Sequence, residues 1–258
     1  DQRLIMMLDE VPWWLDGLRV ARSGEGDAQA AAQAGDDRVR EALAQLRYLR
    51  QRDGLASRLR MLITGSVGLA SLAAAVGAPA ELNDLEPYEL RPLEDHAGAA
   101  LFDAELAGRG IGCPAEVAVE AQRLAGGSPH WIKQLAAKIP NAPQTNAAAL
   151  VSAVEQLLSP RMRHLFQDEG HAHLIRRHAE LAPMLKAMLA SASGNDEGVP
   201  RAIVLAAGLQ AGLRGREAAE RAAMQLVDEF YLELHGDRLR FCNPLFRRWW
   251  QRYGAPFE

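Results

Sequence analysis

The sequence predicts an α/β segment followed by helices: a truncated parallel sheet carrying helices, a small helical domain, and a terminal module of three helices and a β-hairpin. Three observations carry this. Two short apolar runs, one over Leu4 to Leu8 and one from Leu59 to Ile63, each lead toward a helical stretch, the order of a parallel α/β sheet. From Glu94 onward apolar residues recur at helical spacing in short segments punctuated by Gly and Pro. Near the end, Phe230 to Phe241 alternates apolar and polar residues around Gly236-Asp237, a hairpin signal.

The first run, Arg3 to Glu10, reads as a strand of the kind buried on both faces and ends in two acids. Parallel strands need neighbours and crossover connections, so such a strand at this point implies further material upstream or a partner chain. Without inner neighbours, strands 3–9 and 59–65 expose edges prone to association, and an oligomer is expected. Val11 to Leu15 reads as the loop after the strand, with Trp13 and Trp14 covering the missing part of the core. Residues 21–36 mix Gly, Ala and polar residues without an apolar period and read as a mobile surface connection.

From Asp37 to Arg52, Val39, Leu43, Leu46 and Leu49 form one face of an amphipathic helix whose arginines are expected to face water. A second helical stretch covers 67–76, and 88–93 reads as a last strand or an extended link. The α/β part therefore spans 1–92. Helices near 94–109, 114–125, 128–139 and 145–158 make a helical domain over 93–158. In 159–258 come a long helical pattern at 174–192, a break at 194–198, helices near 200–211 and 215–229, the hairpin, and a terminal helix over 244–253. Three helices followed by a hairpin predict a winged helix.

The composition is that of a globular chain, 48% hydrophobic and 24% charged over 258 residues, enough to bury a core. A formal net charge of -4 offers no basic excess for phosphate neutralisation. The helix over 216–230, which a winged helix would present to DNA, carries Glu217, Glu220, Asp228 and Glu229 against Arg216 and Arg221. That is the wrong sign for groove entry, so a protein partner is favoured over DNA. Cys113 and Cys242 lie far apart without CxxC spacing, which suits a reducing compartment and suggests neither a disulfide framework nor zinc. No window approaches a membrane span and no signal-peptide pattern is present, so the expected location is the cytoplasm.

Chemistry concentrates at strand ends. Ligands of open α/β sheets sit outside the carboxyl ends of the strands, where Asp9 and Glu10 stand, and adjacent carboxylates there suit a metal. Thr64-Gly65-Ser66 ends the second run, and its hydroxyls lie beside the acids if the strands are neighbours. The same hydroxyls also suit a cap for the following helix. Gly126-Gly127-Ser128-Pro129 reads first as a helix stop, an N-cap and a first-turn proline. His164, His171, His173 and His178 lack zinc-helix spacing and carry no metal expectation. The tryptophans of Arg247-Arg248-Trp249-Trp250 are expected to close a core or dock onto another domain.

The ordered series LIMMLDEVPWW, LRMLITGSVGL, DLEPYELRPLEDHAGAALF, LAGGSPHWIKQLA and YLELHGDRLRFCNPLFRRWW resembles the AAA+/STAND P-loop ATPases often labelled archaeal-type ATPases, over nearly the whole chain. The resemblance implies that Asp9 and Glu10 are the Walker B pair. Asp9 would hold Mg²⁺ through water and Glu10 would activate the attacking water. Thr64 and Ser66 would be the sensor I end that reads the γ-phosphate, Leu93 to Leu106 would start a lid, and Gly126, Gly127 and Pro129 would lie near the nucleotide base. It implies ATP and Mg²⁺ as cofactors of the complete protein, and a nucleotide-dependent switch as its function. The departure is plain: no G-x-x-x-x-G-K-[ST] occurs in the 258 residues. Without that cradle the acids repel triphosphate, so this chain alone is expected to be inactive. The alternative is a non-enzymatic winged-helix module from a split or decayed ATPase.

Overall fold

The computed structural model describes residues 3–20, 28–65, 68–166 and 180–254, which form two compact units, 1–89 and 90–258.

In the first unit, β1 (Leu4–Leu8) pairs in parallel with β2 (Leu59–Ile63), in the register Leu4 with Leu59 through Leu8 with Ile63. Helices α1 (Val11–Val20), α2 (Ala28–Gln51) and α3 (Leu69–Ala75) supply the core residues Val11, Leu15, Val39, Leu43, Leu72 and Ala73, joined by Val76 just past α3, with Leu8 and Ile63 packed against them. The pleat divides the strands. Met6, Leu8, Met61 and Ile63 are half-buried, whereas Ile5, Met7 and Leu62 are 68%, 70% and 49% exposed. The strand expected to be buried on both faces is thus covered on one, because the helices of this unit reach one side of a two-stranded sheet.

Three further expectations change here. Val11 to Leu15 is the start of α1 rather than a loop. Glu10 adopts φ 50, turning the chain at the strand end, and Val11 N donates to Thr64 O at 3.1 Å. Val11 and Leu15, one turn apart, then bury together. The surface connection expected over 21–36 is helical from Ala28, since an Ala-rich stretch has high intrinsic helix propensity without an apolar period. Residues 21–27 lie outside the described residues. Gly35 lets α1 and α2 approach closely: a Cβ there would lie 2.7 Å from Arg19 O.

The arginines of α2 do not simply face water. Arg40 Nε donates to Val76 O at 2.7 Å, Arg47 Nη1 to Ala80 O at 2.8 Å and Arg50 Nη2 to Glu81 O at 2.6 Å, and Arg50 also forms a two-point pair with Asp84. They supply donors to the carbonyls at the end of α3 and of the 3₁₀ turn Pro79–Leu82.

The second unit begins in the extended segment before α4 (Asp95–Ala107), where no strand forms among the described residues. α5 (Ala115–Ala125), α6 (Pro129–Lys138) and α7 (Ala147–Leu157) follow, then the short α8 (Arg163–Phe166) and, past residues outside the description, α9 (Ala182–Ala192). The chain continues through β3 (Val199–Pro200), α10 (Arg201–Gln210), α11 (Arg216–Asp228), β4 (Leu232–His235), β5 (Arg238–Phe241) and α12 (Pro244–Tyr253). β5 is central, antiparallel to both β3 and β4, and the hairpin turns at Gly236 with φ 61.

One hydrophobic core runs through this whole unit, across position 158. Trp131 stacks on Phe166 with centroids 4.4 Å apart, and Phe166 stacks in turn on Trp249 at 5.7 Å. The terminal tryptophans are therefore core residues, both about 1% exposed. α12 also supplies donors to helix ends. Asn243 Nδ2 donates to Ala125 O at the end of α5, and Tyr253 OH to Leu158 O at the end of α7, at 3.1 and 2.9 Å.

Candidate functional site

The parallel register sets the carboxyl tips of β1 and β2 side by side, and Thr64 N donates to Leu8 O at 2.8 Å. One residue further on, the Thr64 hydroxyl donates to Asp9 Oδ1, and Glu10 N donates to the same oxygen at 3.1 Å. Both bonds fall on Oδ1, so neither engages Oδ2. Asp9, Glu10 and Thr64 are all exposed.

The tip is fixed by a close contact that sequence reading missed. A Cβ on Gly65 would lie 2.4 Å from Pro12 Cδ, so only glycine lets the end of β2 meet the first turn of α1. The signal for it was present in Thr64-Gly65 facing a first-turn proline, but the two lie far apart in sequence. Ser66, expected beside Thr64, lies outside the described residues, as do His171, His173 and His178.

An exposed carboxylate with one oxygen held, and the other engaged by no described residue, fits a hydrated divalent cation, which binds carboxylates while retaining waters. Asp9 would hold such an ion through water, and Glu10 stands next to it. Among the described residues no group of three or more His, Cys, Asp or Glu side chains is assembled for direct ligation.

Gly126, Gly127 and Pro129 belong to the other unit. Gly126 is the left-handed C-cap of α5 with φ 58, Ser128 is the N-cap of α6 accepting from Trp131 N at 3.5 Å, and Pro129 opens α6. The amides of Gly126, Gly127 and Ser128 donate to Arg123 O, Gln122 O and Ala125 O, so the turn spends them internally rather than on an anion. Both glycines are also packing devices. A Cβ on Gly126 would lie 2.5 Å from Cys242 O, and one on Gly127 2.7 Å from Leu93 O.

No family model matches the chain, and no curated protein does. Among solved structures, the Walker-type ATPase PABY2304 of Pyrococcus abyssi is similar with a TM-score of 0.63 at 17% identity, over 96% of this chain and 63% of that one. The chain has an ATPase-like fold. It spans less than two thirds of the neighbour's length, and at that identity the likeness concerns the fold alone. No described helix is long and apolar enough to cross a membrane.

Proposed function

We propose that this chain is the Walker B-to-C-terminal portion of an AAA+/STAND-type ATPase, an ATP-dependent conformational switch. The observation that carries the reading is the hydrogen bond from Thr64 to Asp9 across the carboxyl tips of two parallel strands. In this reading Asp9 holds Mg²⁺ through water, Glu10 activates the attacking water, and Thr64, with Ser66, reads the γ-phosphate. ATP would supply the phosphoryl group that Mg²⁺ neutralises. Gly126, Gly127 and Pro129 form the turn beside the nucleotide base. Residues 1–92 are the partial α/β core, 93–158 the lid and 159–258 the winged helix, which recruits a protein partner in the cytoplasm.

The exposed face of β1 and β2, with Ile5, Met7 and Leu62 outward, supports a parent protein in which further elements cover that face. The continuous core of residues 90–258 supports lid and winged helix moving as one body.

A second reading, a non-enzymatic winged-helix module, draws on the lack of any G-x-x-x-x-G-K-[ST] in the chain. Titration calorimetry with ATP-Mg²⁺ separates the two, applied to this chain and to one extended upstream through a P-loop. Binding by the extended chain alone, lost in Asp9→Asn, is expected. Absence of binding in both favours the module, and binding by this chain alone overturns the account of the cradle.

A further inference from the structure

Away from the strand tips, a cleft of about 320 Å³ opens between α5, α7 and α12 in the second unit. Its floor is apolar and runs along two turns of each of the first two helices: Val117 and Leu124 from α5, Ala147, Leu150 and Val154 from α7. Val151, also lining the cleft, is 63% exposed and extends the apolar floor to its rim.

The charges around the cleft are unevenly balanced. Glu120 accepts from Arg123 Nε and Nη2, each at 2.7 Å, and Glu155 accepts from Arg252 at 2.8 Å. Arg248 lines the same cleft, half-buried, and makes no hydrogen bond or ion pair with any described residue. Its charge reaches Glu120 and Glu155 only at longer range, where it helps to hold both carboxyls below their usual range after the direct arginine bonds have done so. Glu116 stands at the end of the cleft, exposed in the first turn of α5. Glu120 and Glu155 are thus already compensated, whereas Glu116, which is exposed, and Arg248, which is half-buried, make no hydrogen bond or ion pair with a described residue; of these two the guanidinium, a five-donor planar group, is the one set into the cleft wall.

We infer that this cleft is a docking site for an amphipathic helix of a protein partner. Such a helix has apolar residues at i, i+3 or i+4, and i+7, and a carboxylate on its flank that pairs with Arg248. Apolar positions along two turns of two neighbouring helices offer the grooves that a third helix fills with its own ridges. The half-buried guanidinium sets the sign of the occupant's charge where it meets α12, while the exposed Glu116 leaves the first turn of α5 unsuited to a second carboxylate. Because Arg248 lies on α12, which also bonds to the ends of α5 and α7, an occupant would touch all three elements that α12 ties together.

The test uses the full chain and two fluorescently labelled, hydrocarbon-stapled helical peptides. They share a leucine stripe at i, i+3 and i+7 and differ in carrying two flanking glutamates or two flanking lysines. Affinities are measured by anisotropy. The glutamate peptide is expected to bind about tenfold more tightly than the lysine peptide. Arg248→Glu is expected to reverse that order, and Val151→Glu to abolish binding of both. Neither residue makes a side-chain hydrogen bond or ion pair with a described residue, and circular dichroism checks that each variant is folded. Failure of both peptides to bind, equal affinities, an unreversed order in Arg248→Glu, or binding undiminished in Val151→Glu each overturns the proposal. Displacement of the peptides by decanoate at comparable affinity would instead assign the cleft to small apolar carboxylates, and also overturns it.

Discussion

Arg247 Nη1 donates to the carbonyl oxygen of Ser193 at 2.9 Å, tying the terminal helix α12 to the C-terminal end of α9. Gln251 Nε2 donates to the same oxygen at 2.6 Å, and Arg247 also pairs with Asp196. A cation at a helix C-terminus meets the negative end of the helix dipole. Arg247→Ala removes this bond and the packing of a buried stem, while Gln251 keeps Ser193 O satisfied. The expected loss is about 1–3 kcal/mol of unfolding free energy, read from urea denaturation followed by far-ultraviolet circular dichroism. A midpoint equal to that of the parent chain would refute the role.

The Arg50 guanidinium bonded to Asp84 holds that carboxyl below its usual range. A carboxyl whose pKa is depressed in the folded state contributes stability above its unfolded pKa, and that stability is lost as pH falls through the folded value. Residues 1–89 should therefore lose stability below about pH 4, and Arg50→Ala should flatten this part of the pH profile. The same variant should lower stability at neutral pH by about 1–3 kcal/mol, because Arg50 also donates to Glu81 O. Denaturant midpoints of both chains between pH 3 and 7 check both effects.

Gly65→Ala places a methyl group against the Pro12 ring, whose position the first turn of α1 fixes. Overpacking of this kind costs about 1–3 kcal/mol. The double variant Gly65→Ala with Pro12→Ala should recover part of the loss by removing the ring. Additive losses in that pair would show that the contact is not the cause.

Burial pushes the Cys242 thiol up to about 12, with Glu233 adding to the effect and Arg240 opposing it. Cys113 is raised as well, again chiefly by desolvation. Since the thiolate is the reactive form, Cys242 in the folded chain at pH 8 should alkylate far more slowly than in urea, and its rate should keep rising with pH well beyond 9. Mass spectrometry after timed iodoacetamide labelling resolves the two sites. Equal rates in folded and unfolded chain at Cys242 would contradict the burial.

The sequence was most legible where helix ends carry their own chemistry. The terminal helix expected over 244–253 is α12 to the residue, because Asn243 accepts from Phe246 N at 3.0 Å and Pro244 opens the first turn. Ser128-Pro129 and Asn146 mark α6 and α7 in the same way. In the first unit these signals fail. At the start of α1 the chain turns at a left-handed Glu10 and the first amide, Val11 N, goes to the carbonyl of the distant Thr64, while the alanines of early α2 give no apolar period. The Arg40, Arg47 and Arg50 stripe resembles a solvated face because its acceptors are backbone carbonyls, which have no letter in a sequence. The approach of Thr64 to Asp9 was legible because both stand at the ends of apolar runs. The glycine and proline that hold those ends in contact were not, since steric fit between distant residues leaves no periodic trace.

The placement of the five tryptophans gives the molecule a built-in optical division of labour. Trp14 is 52% exposed and Trp13 36% in the first unit, whereas Trp131, Trp249 and Trp250 of the second are at most 7% exposed. Iodide in solution collides with the first pair and barely reaches the other three. Quenchable, red-shifted emission therefore reports on residues 1–89, and the shielded, blue-shifted remainder on residues 90–258. Unfolding of each unit can then be read by its own signal in a single unlabelled sample.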